Sequence, residues 1–215
     1  MTMNISEYFV RIRHSGDRST SNETLRALHL AHVLTVPFEN LDNFLGRPVS
    51  LEPADLFAKI VTAKRGGYCF ELNGLFSLLL ETMGFEVTRL IARVRYGSKP
   101  PYPRSHQVLM VKIAGEPWLV DVGFGGNGLL KPIPLAAGAR VRQCSEEFRL
   151  AAPEPGVPDS PPDDKLPVGF VAVLDFVAAC AFVEEIGSAP VGSSMRGGLS
   201  QFTASSCGSK PAGAA

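Results

Sequence analysis

Lys64-Arg-Gly-Gly-Tyr-Cys-Phe-Glu-Leu-Asn-Gly-Leu-Phe76 decides how this chain reads. Gly66-Gly67 breaks one apolar helical pattern. A second begins at about Cys69 and runs to Met83, with Leu72, Leu75, Phe76, Leu79 and Leu80 as its inward stripe. Gly84 suits its C-terminal cap. Cys69 therefore stands where a glycine turn meets a helix start. Unpaired backbone N–H groups and the positive end of the helix dipole favour negative charge on a sulfur placed there. The competing reading is an inert buried cysteine packed as a small hydrophobe. The glycine pair and the helix start weigh against it.

Upstream, the pattern is helical. Residues 4–13 carry Ile5, Phe9 and Ile12 at near-helical spacing. Thr20 and Glu23 fit a capping box for a helix presenting Leu25, Leu28 and Leu30, which Pro37 stops. Pro53 suits the first turn of a helix with Leu56, Phe57 and Ile60. Downstream, the period changes. Residues 85–96, 107–113 and 118–122 read as strands, the last two joined by a turn at Ala114-Gly115-Glu116-Pro117. Helices followed by an antiparallel sheet make an α+β protein.

Composition narrows the function. The chain has 215 residues, 45% of them hydrophobic, and 21 basic side chains balance 21 acidic ones. No basic block is present, so a nucleic-acid or membrane-surface partner is not expected. The first residues lack a charged, then apolar, leader, and 168–183 is too short to span a bilayer and contains Asp175. The expected compartment is the cytoplasm. Cys69, Cys144, Cys180 and Cys207 form no CxxC pair, and His14, His29 and His32 sit in N-terminal, helical segments far from them. No metal site is expected.

Two further segments carry chemistry. His106 opens a strand after a polar, proline-rich loop at 99–105, which would expose it. A histidine there can act as base toward a thiol or pair with it as imidazolium, although a lone loop-edge histidine is commonly inert. Asp121 interrupts an apolar strand, and a buried carboxylate needs a partner. A neighbouring imidazole N–H is a good one, since the carboxylate fixes its tautomer and orientation, and the competing reading is an aspartate satisfied by the amides of the following glycine turn. Gly123-Phe-Gly-Gly126 is no phosphate loop, since no GK[ST] follows, yet its N–H groups can line an oxyanion or pantetheine site. Nucleophile, base and orienter in the order Cys, His, Asp follow the logic of papain-like cysteine enzymes.

With these residues in view, the sequence resembles the arylamine N-acetyltransferase family. Arg65-Gly-Gly-Tyr-Cys-Phe-Glu-Leu-Asn-Gly74 is similar to the family's nucleophile motif, Ser105-His-Gln-Val to its histidine motif, and Val120-Asp-Val-Gly-Phe-Gly125 to its aspartate motif. Val36-Pro-Phe-Glu-Asn-Leu41 resembles a further signature, and the match spans roughly residues 1–150. The resemblance implies a papain-like architecture: a helical bundle over 1–84, then an antiparallel β-barrel, incomplete here, over 85–150. It implies catalytic Cys69, His106 and Asp121, and substrate contacts from Phe38, Tyr68, Val94, Phe124, Gly125 and Gly126. Arg65 and Glu39 would form a structural ion pair. Acetyl-CoA would be the co-substrate, and an arylamine or hydrazine the acceptor, reached through an acetyl-thioester on Cys69.

Beyond Leu150 the character shifts. Pro153, Pro155, Pro158, Pro161 and Pro162 mark an open linker, 166–186 is apolar enough to fold locally, and the last thirty or so residues read as disordered. No counterpart to the rest of the barrel or to a third domain is found in 151–215, so the chain is identified as a C-terminally shortened or frameshifted member. Unpaired strand edges would then impair acetyl transfer. A cysteine hydrolase with the same triad and an inactive truncated relative are the other readings.

Overall fold

The computed structural model describes residues 3–92, 94, 105–144, 146–151, 171–174, 179–182 and 184–185. The proline-rich loop before Ser105, the linker holding Pro153 to Pro162 and the last thirty residues lie outside these.

The first helix, α1 (Ile5–Ile12), is capped by Asn4, whose side chain accepts the Glu7 N–H at 3.3 Å. Arg13 closes it in the left-handed conformation, which places His14 beyond the helix. The second, α2 (Asn22–Thr35), starts one residue later than the capping-box reading placed it. Its cap is Ser21, whose hydroxyl accepts the Thr24 N–H at 3.1 Å, so Glu23 falls one position short of a reciprocal box. Two short helices follow, α3 (Leu41–Phe44) and α4 (Pro53–Phe57), and α4 runs into one π-helical turn, Ala58–Thr62. Ile60 and Val61 of this turn are buried. The third long helix, α5 (Cys69–Thr82), begins on the cysteine.

The strands are β1 (Glu86–Ala92), β2 (His106–Ile113), β3 (Glu116–Val120), β4 (Ile133–Pro134), β5 (Arg140–Gln143), β6 (Glu146–Ala151), β7 (Val171–Leu174), β8 (Ala179–Phe182) and β9 (Glu184–Glu185). One sheet has the order β4-β3-β2-β1-β9 and the other β5-β6-β7-β8, with every pairing antiparallel. Among the described residues the strands thus form two open sheets, not one closed barrel. Three strands lie past Leu150, where the sequence reading found no further barrel strands. The β2–β3 turn is tighter than read: Ala114 and Gly115 alone make it, with φ of 52° and 84°, and Glu116 and Pro117 already belong to β3.

β2 feeds two cores by alternation. Leu109 and Val111 pack into a cluster with Leu72, Leu75 and Phe76 of α5, while Val108 joins Leu90, Leu119 and Phe148. Covered on both faces, β2 is an almost unbroken apolar run. Helices and the near face of the sheet therefore share one core, and the starts of α5 and β2 meet at its rim.

Candidate active site

The segment before α5 is shaped by close approach. Residues 37–39 run beside Gly67: Glu39 N–H donates to Gly67 O at 2.9 Å, and Gly67 N–H to Pro37 O at 3.4 Å. A Cβ on Gly66 would stand 2.0 Å from Pro37 O, so only glycine allows the approach. Glu71 then reaches back and accepts the Tyr68 N–H at 3.0 Å, fixing the helix entry. Its other oxygen is held by Lys59 Nζ at 2.6 Å, and Lys59 also pairs with Asp42 at 2.8 Å. Arg65 joins Glu39 at 2.7 Å and Asp42 at 2.9 Å. Two cations, Lys59 and Arg65, thus sit among three carboxylates, Glu39, Asp42 and Glu71, around the entry to α5. The sequence reading named Arg65 and Glu39 but missed Lys59, Asp42 and Glu71.

Cys69 is the first residue of α5 and is buried, its thiol directed to Ser105 O at 3.6 Å. His106 is buried as well, 5% exposed, which corrects the expectation of an exposed loop-edge side chain. Phe124 covers it, ring edge to ring face at 5.2 Å. His106 Nε2 meets Asp121 Oδ2 at 2.7 Å. That leaves Nδ1 as the ring nitrogen open to the Cys69 side chain, which helps to keep a proton on the ring.

Asp121 lies one residue past the end of β3, not inside a strand. Leaving the ladder lets it be satisfied in both of the ways the sequence left open. Oδ2 takes the imidazole, and Oδ1 accepts the Gly123 N–H at 2.9 Å and Asn73 Nδ2 at 2.9 Å. Asn73 also donates to Gln107 O at 2.6 Å and accepts the Val122 N–H at 2.9 Å. One fully buried side chain thereby ties α5, β2 and the aspartate turn together. Asn73 stands one helical turn after Cys69 on the same face, and a polar residue inside an apolar stripe was the signal for it. The Asp121 N–H points to His29 Nε2 of α2 at 3.3 Å.

Burial alone would lower the His106 pKa, but the Asp121 charge and hydrogen bond, helped by Cys69, outweigh it and raise it to about 10. Burial pushes the Asp121 carboxyl up, whereas His106, Asn73 and Gly123 pull it below the usual carboxylate range. The pair is thus an imidazolium beside a sulfur and a carboxylate.

The other side chains singled out in the sequence lie as follows. Phe38, 39% exposed, packs on Gly125, whose φ is +89°. Phe124 is half-buried on His106, and Gly125 and Gly126 are exposed. Tyr68 is half-buried beside Phe70, and burial pushes its hydroxyl to about 12. Val94 is half-buried, two residues beyond Ala92, the register partner of His106. Among the described residues no group of three His, Cys, Asp or Glu side chains is placed to hold a metal ion, and no helix is long and apolar enough to cross a membrane.

Residues 21–157 match the family model described as N-acetyltransferase, and the curated relatives they align with are arylamine N-acetyltransferases. The chain belongs to the arylamine N-acetyltransferase family. It is 44% identical over 151 residues to the arylamine N-acetyltransferase of Escherichia coli (strain K12), covering 70% of this chain and 54% of that one. It is 45% identical over 156 residues to that of Mycolicibacterium smegmatis, covering 70% and 57%. The chain thus spans about half the length of the curated relatives it matches. Among solved structures, the arylamine N-acetyltransferase from Salmonella typhimurium superposes with a TM-score of 0.73 at 34% identity, covering 86% of this chain and 64% of that one. The arylamine N-acetyltransferase of Mycobacterium marinum in complex with CoA superposes with a TM-score of 0.73 at 33% identity, covering 87% and 68%.

Proposed function

We propose that this arylamine N-acetyltransferase family member transfers acetyl from acetyl-CoA to arylamines or hydrazines through an acetyl-thioester on Cys69. The 2.7 Å contact between His106 Nε2 and Asp121 Oδ2, behind a buried cysteine at a helix start, carries this reading. The imidazolium and the helix N-terminus stabilise an anion on Sγ. That anion attacks the thioester carbonyl, forming a C–S bond and then expelling CoA, which takes the proton from His106. The amine next attacks the acetyl-cysteine, His106 removes its proton, and the Cys69 anion is restored. Thioester exchange is nearly isoenergetic, so positioning and charge at the sulfur set the rate.

Phe38 forms an apolar wall for the acceptor, with Tyr68 and Val94 as flanking contacts. Phe124, Gly125 and Gly126 face the acetyl-CoA thioester. Arg65, paired with Glu39, holds the approach to Cys69 and takes no part in bond making. The papain-like layout and the division into 1–84, 85–150 and 151–215 belong to the same reading. The CoA-bound Mycobacterium marinum relative supports the choice of co-substrate. Initial rates measured against both acetyl-CoA and an arylamine test the proposal. Parallel double-reciprocal lines with equal amounts of CoA and N-acetylated product are expected. Release of arylamine from an anilide without CoA, with no transfer, would make the protein a hydrolase.

A further inference from the structure

We infer that His29 is a positioning residue: its ring clamps the main chain of Asp121, so that the carboxylate stays on His106. The inference rests on the triad reading above. The final register pair between β2 and β3 is Leu109 with Val120, so the Asp121 N–H has left the ladder and needs another acceptor. His29 Nε2, reaching across from α2, is that acceptor at 3.3 Å, over a separation of 92 residues. The ring is completely buried, and Phe76 of α5 stands perpendicular to it at 6.2 Å.

Only a neutral ring with its proton on Nδ1 offers a lone pair at Nε2. Burial keeps the ring neutral by lowering its pKa to about 4, against an opposing pull from Asp121. His32, on the same helix, is neutral for the same reason. Asn73, Gly123 and His106 grip the Asp121 carboxylate, while His29 grips its amide. Without that acceptor the Asp121 main chain turns to find another, and Oδ2 swings away from Nε2 of His106.

The test is the pH profile of Cys69 alkylation by iodoacetamide, followed at the Cys69 peptide by mass spectrometry in the full-length chain. The wild type is expected to react fast at neutral pH. His29→Leu should react about tenfold slower at neutral pH, because a displaced orienting group weakens the ion pair. It should converge with wild type at about pH 10, where an ordinary thiol is ionised without help. His29→Gln, whose amide oxygen can occupy the Nε2 position, should recover most of the rate. His29→Asn, too short to reach, replaces the leucine variant if that one does not fold. Profiles of folded His29→Leu or His29→Asn that overlay wild type would overturn the inference. So would equal slowing at every pH, or no recovery by His29→Gln. A wild type lacking the fast neutral reaction would instead overturn the triad reading itself.

Discussion

Asp121 and His106 hold opposite charges in a place that excludes water, and their pKa values move in opposite directions for that reason. The His106 pKa is raised, so its contribution to stability is complete below about pH 6.5 and is lost as pH climbs through about 10. The Asp121 pKa is depressed, so its contribution is present above the usual carboxylate range and is lost as pH falls through its lower folded value. The rate of acetylation of Cys69 by acetyl-CoA should accordingly form a plateau through neutral pH and decline above about 10, as His106 loses its proton. Asp121→Asn should bring that decline down toward the ordinary histidine range and slow acetylation by about three orders of magnitude, measured by rapid quench. Cys69, His106 and Asp121 stood out in the sequence at a glycine turn before a helix, at the start of a strand and inside an apolar run. The cover of His106 was not, because Phe124 reaches it from another segment. Asn73 showed only as a polar residue inside an apolar stripe, and its partner 48 residues away, like that of His29 92 residues away, is encoded by no local pattern.

The elements upstream of Cys69 are fastened by Arg11 of α1. Its guanidinium donates to Ile60 O at 2.7 Å, Thr35 O at 2.9 Å and Arg65 O at 3.2 Å. One cation thus meets the last carbonyls of α2, the π-helical turn and the entry to α5, groups that have no helical partners of their own. Arg11→Met should lower unfolding free energy in urea by about 3 kcal/mol, the range for charged hydrogen bonds lost together. α2 carries a different liability. Burial lowers the pKa of His29 to about 4 and of His32 to about 3, so the unfolded chain binds protons that the folded chain refuses. Stability should fall from pH 6.5 downward, by roughly 2.5 kcal/mol per histidine at pH 4.5. His32→Asn keeps an acceptor for the Tyr8 hydroxyl, now 2.6 Å from His32 Nδ1, and should flatten the slope of melting temperature against pH. The long helices and β1 to β3 were legible from period alone. The Ser21 cap and the π-helical turn were not, since each shifts the helical phase by a single residue.

Across the whole molecule, Cys69 comes from a helix, His106 from the sheet and Asp121 from the turn after β3, so the three side chains meet only where those layers are packed. The apolar alternation of β2 announced a sheet. Whether its strands close into a barrel depends on pairings between distant segments, which alternation does not specify. The strands after Leu150 pair with β6 and with β1, and so belong to both sheets. Leu109 is fully buried between β2 and α5. Leu109→Ala should destabilise the protein by about 3 kcal/mol, and its fast Cys69 alkylation should disappear at the same urea concentration as its helical circular dichroism. The most direct test of the central claim is intact-mass analysis of the full chain after brief exposure to acetyl-CoA, with peptide mapping. One acetyl group on Cys69, absent from Cys69→Ala and discharged by an added arylamine, is the predicted result. A folded protein that stays unmodified, or carries the acetyl group elsewhere, would contradict it.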